Sequence, residues 1–165
     1  MNIKAIILAV AIALTGLTGE LPERAETIKY ISAEKKVEEK DVILCARLLW
    51  GEARGVKSKA EQAAVIWCVL NRLDAGYADS IEGVITARGQ FTGYRKNNPV
   101  TDELYELARD VLMRYYLEKE GFTDIGRTLP KDYLWFTGYR GRNRFRNKYR
   151  TSNYWDWSLP SPYAE

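Results

Sequence analysis

The chain has 165 residues, of which 46% are apolar and 28% are charged, and these proportions are typical of one globular domain. They exclude a collagen-like or intrinsically disordered chain. The net charge of +3 does not by itself indicate a nucleic-acid or membrane partner. The sequence contains no histidine, which excludes Ser-His-Asp triads, Cys-His pairs and zinc sites that use imidazole.

The first residues predict an export segment. Lys4 is followed by fifteen uncharged residues, 5–19, and this stretch is shorter than the ~20 apolar residues of a membrane-spanning helix. We therefore expect residues 1–25 to be a signal peptide or N-terminal anchor, with a buried helix as the alternative. The protein is then expected to be exported, extracellular or in the cell envelope.

Residues 26–40 are rich in Glu and Lys and predict a charged linker or a frayed helix. The domain is expected at 41–165, which is long enough for one hydrophobic core.

Apolar residues at helical spacing predict helices through the first two thirds of this domain. Ser58 with Glu61, and Asp79 with Glu82, are capping boxes, and Thr101 is expected to begin the longest helix, which Gly121 ends. The apolar positions predicted to face the core are Val42, Cys45, Ala46, Leu49, Ala63, Ile66, Trp67, Leu70, Leu104, Leu107, Ala108, Val111, Leu112 and Tyr115.

The composition of residues 133–137 predicts a strand after Pro130. The fold class is therefore α+β, mainly helical, with the helices first and a small strand region at the C-terminal end. In this strand Tyr133 and Trp135 share one face, and we expect the other face, with Leu134 and Phe136, to be buried. Tyr133 and Trp135 are thus candidate substrate contacts.

Glu52 is the candidate catalytic residue. It lies on the same helical face as Cys45 and Leu49. Burial disfavours a charged carboxylate unless it is hydrogen-bonded or paired, and a protonated carboxyl is what a general acid requires. The alternative is a buried ion pair with Arg47 or Arg54. Neighbouring glycines at 51 and 55 favour the functional interpretation, because they let another chain approach the backbone closely.

A second candidate group lies in a loop bounded by glycines. Gln90, Phe91 and Tyr94 combine an amide, which can bind sugar hydroxyls, with rings that can cover an apolar sugar face. For Phe91 the alternative is an aromatic plug that holds the loop. Asn71 and Arg72 are interpreted as structural residues at a helix end.

Basic residues occur at every second position from 140 to 150, which places them on one side of an extended chain. This pattern indicates a solvated strand face, or attraction to an anionic cell wall or to nucleic-acid phosphates. The residues concerned are Arg140, Arg142, Arg144, Arg146, Lys148 and Arg150.

The sequence contains five short blocks in register, which are Leu48-Leu49-Trp50-Gly51-Glu52-Ala53-Arg54-Gly55, Glu61-Gln62-Ala63-Ala64-Val65, Val69-Leu70-Asn71-Arg72, Ile81-Glu82-Gly83-Val84-Ile85 and Gly89-Gln90-Phe91-Thr92-Gly93-Tyr94. Together these blocks resemble the cell wall hydrolase family of spore cortex-lytic enzymes. A later block, Leu129-Pro130 followed by residues 133–136, is similar to a strand of that family. The sequence departs from the family at 142–145, where many members have a His-bearing motif.

The resemblance implies a lysozyme-like fold in which Glu52 cleaves peptidoglycan glycan strands between N-acetylmuramic acid and N-acetylglucosamine. A single carboxyl can act as acid and then as base, which gives lytic transglycosylation or muramidase hydrolysis. A two-carboxylate hydrolase would need a partner, for which Asp79, Glu82 and Asp132 are candidates. The alternative function is a non-catalytic module that binds cell wall or nucleic acid through its basic strand.

No cofactor and no metal is expected, and the protein is expected to be a monomer whose partner is the peptidoglycan glycan strand rather than nucleic acid. Cys45 and Cys68 are interpreted as small buried apolar residues. In an exported protein they can also form a disulfide if their helices bring them together.

Overall fold

The computed structural model describes residues 21–163, so the predicted export segment largely lies outside the described residues. Within them the chain is mainly helical, and a two-stranded antiparallel sheet follows the helices, which confirms the predicted fold class. The elements are α1 (Leu21–Lys36), α2 (Glu39–Ala53), α3 (Lys59–Asp74), α4 (Ile81–Thr86), α5 (Asp102–Lys119), β1 (Trp135–Tyr139) and β2 (Arg142–Arg146).

Helix α3 lies at the centre of the domain. It packs against α2, α4, α5 and β1, while α5 also packs against α1 and α2. Every apolar residue predicted to face the core is buried, but α3 is buried on nearly all sides rather than along one stripe, because other elements surround it. None of the helices in residues 21–163 is long and apolar enough to cross a membrane.

Side-chain caps begin three of the helices. Ser58 and Thr101 each accept a hydrogen bond from the backbone N–H three residues later, at 3.3 Å, as predicted. For α4 the predicted cap, Asp79, is wrong by one residue. Ser80 is the cap and accepts from the N–H of Gly83 at 3.0 Å, because its extended backbone directs the hydroxyl back to the first turn.

Residues 21–36 form a helix that packs on α5, so much of the expected charged linker is helical and attached to the domain. Tyr30 and Ala33 are buried in the core. Ser32 and Lys36 both bind the Glu120 carboxylate beyond the end of α5, at 2.8 and 2.5 Å. The helical alternative predicted for this segment is therefore observed, but the helix is packed on α5 rather than frayed.

The two strands form a hairpin in which Phe136 lies opposite Phe145. The turn consists of Arg140 and Gly141, whose φ angles of 49° and 75° both lie in the left-handed region, as a two-residue hairpin turn requires. The strand begins at Trp135, two residues later than predicted.

The predicted alternation of the basic run is confirmed within β2. Arg142 and Arg144 are exposed, whereas Asn143 and Phe145 are buried. The strand ends at Arg146, so the regular alternation does not continue through Lys148 and Arg150.

A polar cluster attaches the segment before β1 to α3 and α5. The Arg127 guanidinium donates to the Glu118 carboxylate at 2.9 Å and to the side-chain Oδ1 of Asn71 at 2.7 Å, and it lies over the Trp67 ring. Asn71 in turn donates to the backbone carbonyls of Pro130 and Tyr133. The predicted structural role of Asn71 is therefore confirmed.

Replacement of Glu118 by Gln is expected to lower the free energy of unfolding at pH 7 by about 2 kcal/mol, because it removes a mostly buried ion pair. Burial raises the pKa of Glu118, but hydrogen bonds and charge from Arg127 and Lys131 outweigh it and hold the pKa below the usual 4.5. The contribution of the ionised Glu118 to the free energy of unfolding is therefore complete above pH 4.5, and it is lost as the pH falls through the lowered pKa of this carboxyl group.

Urea unfolding of both proteins at pH 7 and pH 3 measures this effect. The difference between them should shrink at pH 3. Glu103→Gln is the control, because its ion pair with Lys59 is exposed and should contribute less than about 0.5 kcal/mol. A difference of equal size at the two pH values would contradict the prediction.

Candidate functional site

Glu52 lies in the last turn of α2, half-buried, and its carboxylate is held by a backbone group of a distant loop. The N–H of Gly93 donates to Glu52 Oε1 at 2.6 Å. None of the ion pairs among the described residues includes Glu52. Arg54, one of the expected partners, donates to the Trp50 carbonyl instead. The predicted alternative of a buried ion pair is therefore not found in residues 21–163.

The contact between α2 and this loop depends on two glycines. A Cβ atom on Gly51 would overlap the Gly93 carbonyl, and a Cβ atom on Gly93 would overlap the Gly51 carbonyl. Asn98 reinforces the approach, because its amide donates to the carbonyls of Arg47 and Gly93, each at 3.0 Å. The close approach expected at Gly51 is thus observed, whereas Gly55 has nothing within 4 Å of an added Cβ.

The loop that contacts Glu52 also lines an open cavity of about 440 Å³, which Glu52 itself does not line. Three of the five predicted substrate-binding residues, Gln90, Phe91 and Tyr94, line this cavity. Three cationic side chains lie around it as well, and these are Arg88, Arg95 and Lys96.

Within this loop Phe91 and Gln90 have structural contacts. Phe91 is 6% exposed, its ring lies 4.9 Å from the Arg72 guanidinium, and it packs beside Phe136. This packing matches the alternative interpretation, in which the ring is a plug that holds the loop. Gln90 accepts a hydrogen bond from Arg72 at 2.9 Å, and Arg72 also donates to the Leu134 carbonyl. Arg72 therefore links the loop to the segment before β1.

Tyr133 and Trp135 do not line the loop cavity. The Tyr133 ring contacts the Trp155 ring, with centroids 5.4 Å apart, and Trp135 lies near Tyr149. The predicted division of the strand into one buried and one exposed face does not hold at its start, because Tyr133 and Phe136 both pack against the core.

Sequence reasoning missed the site role of Glu61 and Asn143. Glu61 is 4% exposed, and its Oε1 accepts a hydrogen bond from the backbone N–H of Asn143 in β2. The Asn143 amide donates to the backbone carbonyl of Glu52 at 3.3 Å. These bonds attach the hairpin to the end of α2. The available signal is a carboxylate at the start of a nearly continuous apolar helix, which the capping box with Ser58 does not fully explain.

The three carboxylates predicted as possible second catalytic groups are all exposed. Glu82 lies near Lys40 and Asp41 at the opposite end of α2. Twelve residues of helix separate that end from Glu52, a distance of about 18 Å. Paired catalytic carboxyls lie about 5 to 9.5 Å apart, so this geometry disfavours Glu82 as a partner. Asp132 accepts a hydrogen bond from Asn147.

Cys45 and Cys68 are buried and free, so they do not form a disulfide in this structure. Burial raises the pKa of both thiols, that of Cys68 to about 12, so neither is a thiolate nucleophile at neutral pH. Among residues 21–163 no group of three or more His, Cys, Asp and Glu side chains is arranged to hold a metal ion.

The family model described as Cell Wall Hydrolase matches residues 57–124. This match supports the cell wall hydrolase family and a hydrolytic enzyme that acts on peptidoglycan at the cell envelope or outside the cell. The matched segment contains α3, α4, the loop that contacts Glu52, and α5. It begins after Glu52 and ends before the hairpin. No curated protein and no solved structure matches the chain.

Gly51→Ala is expected to lower the rate at which the protein releases fragments from purified cell walls by about tenfold or more, because the added methyl group displaces the Gly93 loop from Glu52. The same overlap should lower the free energy of unfolding by about 1–3 kcal/mol. Turbidity loss of cell walls and urea unfolding measure the two effects.

Gly55→Ala is the matched control, because it lies on the other side of Glu52 and its methyl group would enter open space. It should change stability by less than about 0.5 kcal/mol and leave the release rate unchanged. Equal rates for Gly51→Ala and Gly55→Ala would show that the loop contact does not position Glu52.

Proposed function

We propose that this protein cleaves the glycan strand of peptidoglycan between N-acetylmuramic acid and N-acetylglucosamine, with Glu52 as the single acid and base. The observation that carries the proposal is the environment of the Glu52 carboxyl. One of its oxygens is held by the Gly93 N–H, and no ion pair among the described residues neutralises it. The match to the cell wall hydrolase model supports the same substrate.

The Gly93 contact also supports a direction for proton transfer. When the carboxyl group of Glu52 carries a proton for transfer, the oxygen that accepts the Gly93 N–H is the carbonyl oxygen of that group. The proton of Glu52 therefore belongs on Oε2, which has no hydrogen bond among those described. A proton on Oε2 is available to the oxygen that bridges two sugars.

In the proposed reaction Glu52 donates this proton to the glycosidic oxygen while the bond to the muramic acid C1 breaks. The resulting carboxylate then takes a proton from the nucleophile that attacks C1. If the nucleophile is the muramoyl 6-hydroxyl, the product is a 1,6-anhydro sugar, and if it is water, the product has a reducing end. We favour the single-carboxyl mechanism because the three carboxylates predicted as possible partners are exposed. Of these, Glu82 in α4 lies near the end of α2 that is opposite Glu52.

The arrangement of elements supports a lysozyme-like fold, since a helical body presents the acid at a helix end and a hairpin attaches beside it through Asn143. We further propose that residues 1–25 export or anchor the chain and that the catalytic domain acts outside the cell as a monomer. Gln90 and Tyr94 are proposed as substrate contacts on the loop whose Gly93 binds Glu52, with the buried Phe91 ring holding that loop in place. Tyr133 and Trp135 are proposed to contact the glycan farther along the hairpin.

A second candidate function is a binding module, which the exposed arginines of β2 favour. In that case Glu52 would have a structural role, and binding to cell walls would fall steeply with salt. The absence of an ion pair to Glu52 among residues 21–163 is an observation in favour of the enzyme instead.

The decisive variant is Glu52→Gln, which keeps the hydrogen bond to Gly93 but removes the transferable proton. We expect it to lower glycan cleavage by at least about a hundredfold, because general acid catalysis contributes a factor of about 10² to 10⁴. Mass spectrometry of the fragments released from purified walls measures this loss. Anhydro ends would indicate transglycosylation, and reducing ends would indicate hydrolysis.

Glu82→Gln is the matched control, since it alters an exposed glutamate of α4 that lies near the end of α2 opposite Glu52, and it should release fragments at the unaltered rate. Equal fragment release by Glu52→Gln and the unaltered protein would remove Glu52 from the mechanism. If the Glu52→Gln variant and the unaltered protein bind cell walls equally well and neither cleaves them, the binding module would be favoured.

A further inference from the structure

The hairpin and the C-terminal tail enclose a pocket of about 380 Å³ that contains neither Glu52 nor the loop at 87–98. Its rings and guanidinium groups belong to residues beyond 124, where the family match ends. We call it the tail pocket, and the lining residues that matter here are Tyr139, Arg142, Arg144, Tyr154, Trp157 and Glu61.

The tail that forms one wall is attached to the domain by specific contacts. The backbone N–H of Trp155 donates to the Phe145 carbonyl at 2.8 Å, and its indole N–H donates to the Thr128 carbonyl at 3.1 Å. The Trp157 ring packs edge-on against the Phe145 ring, with centroids 5.8 Å apart. The opposite wall is equally well fixed, because buried Glu61 binds the backbone of Asn143. The pocket is therefore pre-formed.

Three aromatic residues that line this pocket are partly exposed to solvent. Tyr139, Tyr154 and Trp157 are 44%, 40% and 40% exposed. Trp157 has a φ angle of 61°, a conformation that costs free energy for a bulky residue and is concentrated at functional sites. Exposed rings on a fixed backbone are suited to stack against the apolar face of a sugar.

The charge of the pocket is positive. The Arg144 guanidinium lies 3.9 Å from the centre of the Tyr139 ring and 5.3 Å from that of Tyr154. None of the ion pairs described in residues 21–163 includes Arg140, Arg142 or Arg144. A neighbouring cavity of about 800 Å³ shares Glu61, Arg140 and Arg142 with the pocket and adds Lys57 and Lys59. A guanidinium beside stacked rings is the group that best binds a carboxylate in two-point contact.

We propose that the tail pocket binds a carboxylate-bearing sugar of the glycan strand, at a subsite separate from the Glu52 carboxyl. The rings of Tyr154 and Trp157 stack on the sugar, and Arg144 with Arg142 binds its carboxylate. A saccharide fits better than a nucleic acid, because the carboxylate of Glu61 interrupts the cationic wall where a phosphate backbone would follow it. Only the choice of peptidoglycan as the source of the sugar rests on the proposed function.

The test measures binding to the full chain carrying Glu52→Gln, so that the probe is not cleaved. The probe is a soluble peptidoglycan tetrasaccharide whose lactyl groups carry free carboxylates, and Kd is obtained by calorimetry. Tyr154→Ala and Arg144→Gln should each raise Kd by about tenfold, whereas Tyr154→Phe, which keeps a ring, should change it by less than about threefold. For chitotetraose, which has no carboxylate, Tyr154→Ala should weaken binding and Arg144→Gln should not.

Matched controls are Tyr77→Ala and Arg150→Gln, which alter an exposed tyrosine and an arginine that do not line the pocket and should leave Kd unchanged. Thermal unfolding verifies that each variant is folded. Tyr154→Ala is expected to remain folded, because Tyr154 is an exposed residue. Unchanged Kd in Tyr154→Ala and Arg144→Gln would overturn the proposal. Tighter binding of a single-stranded oligothymidylate, lost in the same two variants, would also overturn it and assign the pocket to nucleic acid.

Digestion of walls by the protein with Glu52 intact separates this proposal from the proposed function. If cleavage depends on Glu52 but the Kd for the tetrasaccharide is unchanged in the pocket variants, the pocket proposal is wrong and the proposed function stands. If no cleavage occurs but tetrasaccharide binding depends on Tyr154 and Arg144, the proposed enzymatic function is wrong and the pocket proposal is supported.

Discussion

The site depends on the close approach of two backbones, at Gly51 in α2 and Gly93 in the loop after α4. Each glycine occupies the space that a side chain on the other would need, and the approach brings the Gly93 N–H to the Glu52 carboxylate. Asn98 holds the same loop through two backbone carbonyls. The orientation of the Glu52 carboxyl is therefore a property of the contact between two segments 41 residues apart, and any change that separates them also frees that carboxyl.

Helix α3 organises the remaining parts of the site because it is buried on nearly all sides and carries polar residues at both ends. Near its start Glu61 holds the hairpin through the backbone of Asn143, and near its end Arg72 holds both the Gln90 loop and the segment before β1. Asn71 and Arg127 extend this attachment toward α5. These polar groups are satisfied by both backbone and side-chain partners, and together they specify where the loop and the hairpin lie relative to Glu52.

Charge is segregated between the two parts of the domain. The helical body carries both signs, and several of its ion pairs join α1, α3 and α5 to other segments. In the hairpin, the guanidinium groups of Arg140 and Arg144 lie over aromatic rings. A basic, aromatic surface next to a site proposed for glycan cleavage suits a substrate that combines sugar faces with carboxylates. In this interpretation the body contributes the acid, and the hairpin with its tail contributes affinity for the strand.

Helix positions, the caps at Ser58 and Thr101, the core-facing residues and the candidacy of Glu52 were determined by the sequence, because each depends on neighbours within about four residues. Tertiary structure decided the rest. In the folded protein α1 packs on α5 through Tyr30 and Ala33, and the Phe91 ring is buried beneath its loop. Tyr133 and Trp135 do not line the loop cavity. The links from Gly93 and Asn143 to Glu52 and from Asn143 to Glu61 span 41, 91 and 82 residues. No local periodicity encodes contacts of that range, since they exist only after the core has brought their segments together.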